Sequence, residues 1–244
     1  MKKKKNIDAV IFDMGGTLMD YDPVPADRMR KIRLELIGDF MNKKGYKIDA
    51  KRIDECLMAP YYEVDCVRAD RTLKEVNLGK SVKRGLKKLG VIEDYSLWII
   101  RMLHLSLKKN LIVYEDTAET LSKLSEKYAL GLISNTTIPG VFFAEDLDEL
   151  GFSKHFKHML FTADLGLRKP HRSVFDRMLS LLGVRAERSI YVGDSFRNDI
   201  FGPSQIGMKT AWINPCDLPA PDKYDEVEPD LVVKSVGGLL EYLY

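Results

Sequence analysis

The stretch Ala9-Val10-Ile11-Phe12-Asp13-Met14-Gly15-Gly16-Thr17-Leu18 constrains the fold of this chain more than any other. A short apolar run, rich in β-branched residues, reads as a buried parallel strand. It ends in the carboxylate of Asp13, and two glycines follow at once. In open α/β sheets, ligands bind just beyond the carboxyl ends of the strands. Asp13 therefore stands where chemistry is expected. Gly15 and Gly16 allow a sharp turn there and let main-chain N–H groups approach an anion.

The pattern recurs past residue 110. Strands are expected at 129–134, 159–162, 189–194, 209–214 and 231–233, with helices between them at 117–128 and 174–182. Asp116 followed by Glu119 has the form of a capping box for the first of these helices. Such alternation requires crossover connections, hence a parallel sheet with helices on both faces. The intervening residues carry no strand signal. Residues 20–25 read as a stiff connector because prolines restrict both themselves and their neighbours. A helix follows, with Met29, Ile32, Leu36, Ile37, Phe40 and Met41 at helical spacing and Gly45 as its stop. Residues 47–70 read as irregular helix interrupted at Pro60. Thr72 is expected to cap a third helix bearing Val76, Val82, Leu86 and Leu89 and ending at Gly90. Residues 97–107 read as a fourth helix, apolar enough to be largely buried, with Trp98 in packing. The expected architecture is an α/β core in three layers, residues 1–22 and 111–244, with an all-helical insertion at 23–110.

Composition excludes more than it assigns. A net charge of +2 gives no reason to invoke nucleic acid, and Lys2 to Lys5 read as a solvated terminus. No apolar run approaches the ~20 residues that span a bilayer. The apolar run after the lysines is too short and too polar for a signal peptide. Cys56, Cys66 and Cys216 cannot all pair and match no zinc spacing, so a reducing, cytoplasmic location is expected.

Four expected strand ends carry different polar groups. The first delivers Asp13, with Thr17 nearby, and the second delivers Ser134-Asn135-Thr136. The third leads into Gly166-Leu167-Arg168-Lys169-Pro170, and the fourth into Gly193-Asp194-Ser195-Phe196-Arg197-Asn198-Asp199. If these strands are neighbours, Asp13, Asp194 and Asp199 supply the hard oxygen ligands that Mg²⁺ prefers. Ser134 and Lys169 then supply donors for a phosphoryl group, and the cation and the lysine offset its repulsion from a carboxylate nucleophile.

This ordered set, with the run from Phe161 to Phe175, resembles the haloacid dehalogenase-like hydrolase superfamily over the whole core. The resemblance implies a Rossmann-like core, a helical cap at 23–110, and Mg²⁺-dependent hydrolysis of a small phosphorylated metabolite. It implies Asp13 as the nucleophile that becomes an aspartyl phosphate. Thr17, Ser134, Asn135 and Lys169 would bind the phosphoryl group. Asp13, the main chain of Gly15, Asp194 and Asp199 would form the metal site.

One position departs from the pattern. Phosphatases of the superfamily carry a second aspartate two residues after the nucleophile, which protonates the leaving group, and Gly15 stands there instead. General acid–base help is worth ~10²- to 10⁴-fold. Four readings follow: a substrate with a good leaving group, such as an acyl or aryl phosphate; another acid, with Asp20, Asp22 and Asp65 as candidates; cleavage of a carbon–phosphorus or carbon–halogen bond; or binding of metal and ligand with little turnover. Carbon–phosphorus cleavage calls for one distinctive lysine, and Lys51, Lys74, Lys80 and Lys83 offer none. Retention of Asp194 and Asp199 argues against carbon–halogen cleavage. His104, His155, His158 and His171 lie away from the strand ends and read as structural or surface residues. Residues 217–230, rich in acids and prolines, read as an exposed loop.

Overall fold

The computed structural model describes residues 7–21, 24–224 and 226–244. Its main sheet has six parallel strands: β1 (Ala9–Phe12), β4 (Ala129–Ser134), β5 (Phe156–Phe161), β6 (Ser189–Gly193), β7 (Lys209–Ile213) and β8 (Leu231–Val233). They lie in the order β5-β4-β1-β6-β7-β8. From β1 the chain steps outward through β4 to β5, then crosses back to β6 and steps outward the other way. The order thus reverses between β1 and β6, which opens a crevice at their carboxyl ends.

All four residues of β1 are fully buried, and they alternate between two faces. Ile11 packs with Ile133, Phe175, Met178 and Tyr191 under one layer of helix. Val10 and Phe12 join Leu121, Leu124, Phe143 and Leu147 under the other. This is a three-layer α/β/α core.

Two short strands, β2 (Met19–Tyr21) and β3 (Leu111–Val113), form a separate antiparallel pair. These strands carry no signal in the sequence, because three residues on each side are too few to show a period. The chain between them is helical: α1 (Ala26–Lys43), α2 (Ala50–Ile53), α3 (Cys66–Thr72), α4 (Leu78–Lys88) and α5 (Ser96–Lys108). Between α2 and α3 the helix continues through wide π turns at Asp54–Met58 and Pro60–Asp65, so Pro60 does not interrupt it. Wider turns change which carbonyl each N–H would meet, and a residue lacking N–H is tolerated at the start of one.

Later in the chain come the helices α6 (Thr117–Ser125) and α7 (Gly140–Glu149), the single turn α8 (Thr162–Leu165) and the helix α9 (Arg172–Leu182). Four local expectations need correction. Thr72 closes α3, and the cap of α4 is Asn77, whose Oδ1 accepts from Lys80 N at 2.9 Å. Asp116 precedes α6 without capping it; its Oδ2 accepts from Gly237 N at 2.7 Å instead. Helix α5 is two-faced: Ile99, Ile100, Leu103 and His104 are buried, while Leu97 and Trp98 are 64% and 63% exposed. His158 lies within β5, which starts ahead of the strand expected at 159–162. The buried faces of α1, α4 and α5 belong to the same apolar cluster as Val10 and Phe12. No helix among the described residues is long and apolar enough to cross a membrane.

Candidate active site

Asp13 follows β1, Ser134 ends β4, Asp194 follows β6, and Lys169 stands on the loop beyond β5 and α8. Adjacent strands therefore bring these side chains together. Asp13, Asp194 and Asp199 each offer a carboxylate oxygen, and the three atoms lie within 4.8 Å of one another.

Lys169 is the hub of the cluster. It is 1% exposed, and its Nζ lies 3.0 Å from Asp13 Oδ1 and 2.7 Å from Asp199 Oδ1. It also donates to Tyr191 Oη at 2.9 Å, and the Tyr191 hydroxyl donates to the Ile133 carbonyl at 3.0 Å. Burial alone pulls an ammonium down, but the charges of Asp13 and Asp199 outweigh it and hold Lys169 well above the usual lysine range. The lysine is a fixed cation. Burial likewise holds the Tyr191 phenol well above its ordinary value, so it remains a donor.

Asp13 Oδ1 also accepts from Met14 N at 2.7 Å. With Lys169 on the same oxygen, Oδ2 has no hydrogen-bond partner among the described residues. Asp199 is fully buried, and both its oxygens are engaged, Oδ1 by Lys169 and Oδ2 by Ser195 N at 3.0 Å. It fits so closely under the preceding turn that a Cβ on Gly193 would fall 2.5 Å from its carboxyl. Asp194 reaches solvent, yet crowding by the walls of the site and then the charge of Asp13 push its carboxyl up to about 6.

These groups fit a divalent cation. Three carboxylates face one ammonium, which leaves an excess of negative charge in one small volume. Asp13 and Asp194 have oxygens to give. Asp199 is committed to holding Lys169 and the 193–199 turn. The donor set is all oxygen, which suits Mg²⁺.

The two glycines divide the labour. Gly16 has φ +69°, and a Cβ there would fall 2.5 Å from Asp194 Oδ2, so the aspartate occupies the space that a side chain would need. Its N–H bonds to Met19 O at 2.9 Å and is not offered to an anion. Gly15 faces open space, with no atom within 4 Å of a Cβ.

Next to this cluster is a cavity of about 230 Å³ whose lining includes Met14, Gly15, Ser134, Arg33, Tyr61 and Phe143. It lies between the strand ends and the helices of the insertion, and its lining mixes polar and apolar groups. Ser134 is 4% exposed within it. Asn135 borders it too, but its side chain clamps the Lys169 backbone, accepting from Lys169 N at 2.8 Å and donating to Lys169 O at 3.2 Å. Thr17 lies elsewhere. Past the turn at Gly16 it lines a second hollow with Tyr114 and Lys234, and its buried hydroxyl has no partner among the described residues.

Asp20 is exposed on β2 and adds to the upward push on Asp194. Asp22 and the side chain of Asp65 lie outside the described residues. Arg33 was not singled out from the sequence, although a signal existed. It occupies a position on the stripe Met29, Arg33, Ile37, Met41 where only apolar residues are expected, and it is 7% exposed. Tyr191, inside a core strand, gave no such signal.

The haloacid dehalogenase-like hydrolase profile matches residues 10–213. The chain belongs to that family. Glyceraldehyde 3-phosphate phosphatase of Pyrococcus furiosus is 30% identical over 51% of the chain and 52% of its own length. The chain thus spans about half the length of this curated relative. N-acylneuraminate-9-phosphatase of Rattus norvegicus is 28% identical over 84% of the chain and 82% of its own length. Among solved structures, 2-haloacid dehalogenase from Pseudomonas syringae superposes with a TM-score of 0.70 at 22% identity, covering 97% of this chain and 98% of its own. That likeness concerns the fold alone.

Proposed function

We propose that the chain is a Mg²⁺-dependent phosphatase of small phosphorylated metabolites, acting through an aspartyl phosphate on Asp13, with residues 23–110 as its cap. One observation carries this reading: the buried Lys169 ammonium stands 3.0 Å from Asp13 Oδ1, beside two further carboxylates within 4.8 Å. A phosphate dianion cannot approach an uncompensated carboxylate, and here compensation is built in. The two phosphatase relatives support the same class of substrate.

Asp13 attacks phosphorus in this reading, the bond to the leaving oxygen breaks, and that oxygen departs with the electron pair. Lys169 Nζ and the Ser134 hydroxyl hold phosphoryl oxygens as charge builds on them. Water then attacks phosphorus, phosphate leaves, and the Asp13 carboxylate is restored. Asp13, Asp194 and the Gly15 main chain, with Asp199 in support, would hold Mg²⁺, which would supply charge neutralisation for the phosphoryl group. Gly15 offers no proton to the leaving oxygen, so acyl or aryl phosphates are turned over in preference to alkyl esters. The 230 Å³ cavity limits the rest of the substrate to a small body.

Gly15 also favours a second reading, in which the chain binds metal and a phosphorylated ligand with little turnover. One experiment separates the two. Phosphate release is measured across a panel of phosphorylated metabolites, with and without Mg²⁺ and in Asp13→Asn. Release that needs both Mg²⁺ and Asp13 is expected for the phosphatase. Ligand-induced stabilisation without release selects the binding protein.

A further inference from the structure

Residues 70–76 run from α3 into α4 across the loops that carry the phosphoryl-binding groups. Arg197, beyond β6, donates from Nη1 to Asp70 Oδ1 at 3.1 Å. Arg168 N donates to Leu73 O at 3.0 Å, Glu75 N donates to Gly166 O at 3.0 Å, and Lys74 bridges Leu167 in antiparallel fashion. Leu73 adopts φ +55° to make this pairing, a conformation that a non-glycine residue holds only where its surroundings impose it. The insertion thus grips the Lys169 loop by its backbone, next to the lysine itself.

Glu75 lies behind that grip with its side chain 1% exposed. Burial of a carboxylate is costly unless its oxygens are bonded, and both are. Oε1 accepts from Val76 N at 2.9 Å, and Oε2 accepts from Thr162 Oγ1 at 2.6 Å. Arg168 Nη1 stands 3.9 Å from Oε1 as a partial counter-charge. Thr162 Oγ1, its proton committed to Glu75, accepts from Thr136 N at 2.9 Å. Thr136 is next to Asn135, which clamps the Lys169 backbone. One carboxylate from the insertion therefore ties the Ser134–Thr136 loop to the 166–169 loop.

We propose that Glu75 is a positioning residue: through Thr162 it sets the Ser134 and Lys169 loops at the separation that a phosphoryl group requires. The link to phosphate rests on the phosphatase reading above; the link between the loops does not. Glutamine at 75 keeps the volume but loses an acceptor. If its oxygen keeps Val76 N, its amide nitrogen faces Thr162 Oγ1, and the hydroxyl proton must turn toward Thr136 O, 3.2 Å away. The hold on Thr136 N–H is then shared with a second donor.

The test combines amide hydrogen exchange of the full chain with calorimetric titration of inorganic phosphate in the presence of Mg²⁺. Glu75→Gln and Thr162→Val are expected to speed exchange at Thr136, Arg168 and Lys169 and leave exchange in the β1 and β6 core unchanged. Each weakens phosphate about three- to tenfold, the range of one hydrogen bond. Thr162→Ser restores both readouts, and the double variant is no weaker than either single one. If Glu75→Gln does not fold, the Val and Ser variants of Thr162 carry the same comparison. Unchanged exchange at those three amides, or loss spread evenly over the chain, overturns the proposal. The exchange pattern without phosphate binding by the parent supports the loop coupling and counts against the phosphatase reading alone.

Discussion

At Gly15 and Gly16, neighbouring residues of one type respond to opposite constraints. Gly15 has open space where a side chain would go and a backbone outside the left-handed region, so Gly15→Asp is accommodated without strain. If the missing acid is the main defect, that variant raises turnover of a plain phosphate ester by about 10²-fold or more. An unchanged rate in folded protein would point to another acid or to other chemistry. Gly16→Ala has the reverse outcome. Its Cβ must displace the Asp194 carboxylate while the residue stays at φ +69°, so Mg²⁺ binding weakens and stability falls by about 1–2 kcal/mol. Calorimetric Mg²⁺ titration and denaturant melts check both effects, and a variant that binds Mg²⁺ like the parent would contradict the placement of Asp194. The convergence of Asp13, Ser134, Lys169 and Asp194 was legible in the sequence because each lies at or beyond the end of an apolar strand, Lys169 across the turn of α8. The clamp by Asn135 and the commitment of Asp199 to Lys169 were not, because they depend on which atoms the folded loops bring into contact.

Between elements, the contact of α5 with α7 carries a buried histidine–aspartate pair. His104 is fully buried, with Nε2 2.7 Å from Asp146 Oδ2, while Lys108 Nζ lies 2.8 Å from Asp146 Oδ1. Phe142 stacks on the imidazole, Phe143 meets it edge-on, and Arg101 covers Phe142. Burial lowers the His104 pKa more than Asp146 raises it. The unfolded chain therefore takes up a proton near 6.5 that the native state refuses, and stability is lost as pH falls below that value. The slope from this one group is at most about 1.4 kcal/mol per pH unit. In metal-free protein Asp194 acts the other way, losing stability as pH rises toward about 6, so only comparison with a variant isolates His104. Denaturant melts of the parent and His104→Gln between pH 5.5 and 7.5 are expected to show a shallower acid-side fall in the variant. Equal slopes would mean that His104 is protonated in the fold. Helices α1 and α9 were legible from period and stop signals, with Gly45 and Gly183 both at positive φ. The true start of α4 was not, because Thr72 and Asn77 are both good caps and the choice is made by the 73–75 bridge to the Lys169 loop.

Across the whole molecule, function follows from the strand order. Because β1 lies between β4 and β6, residues more than a hundred positions apart reach one crevice, and the insertion that follows β2 closes over it. The parallel sheet was legible from alternation alone; the reversal at β1 was not, since periodicity does not say on which side the next strand adds. The most direct measurement is peptide mass spectrometry on protein quenched in acid during turnover of an acyl or aryl phosphate with Mg²⁺. A phosphoryl group on the peptide containing Asp13, absent without Mg²⁺ and in Asp13→Asn, is the predicted result. Phosphate release that persists in Asp13→Asn, with no adduct on the parent, would contradict it.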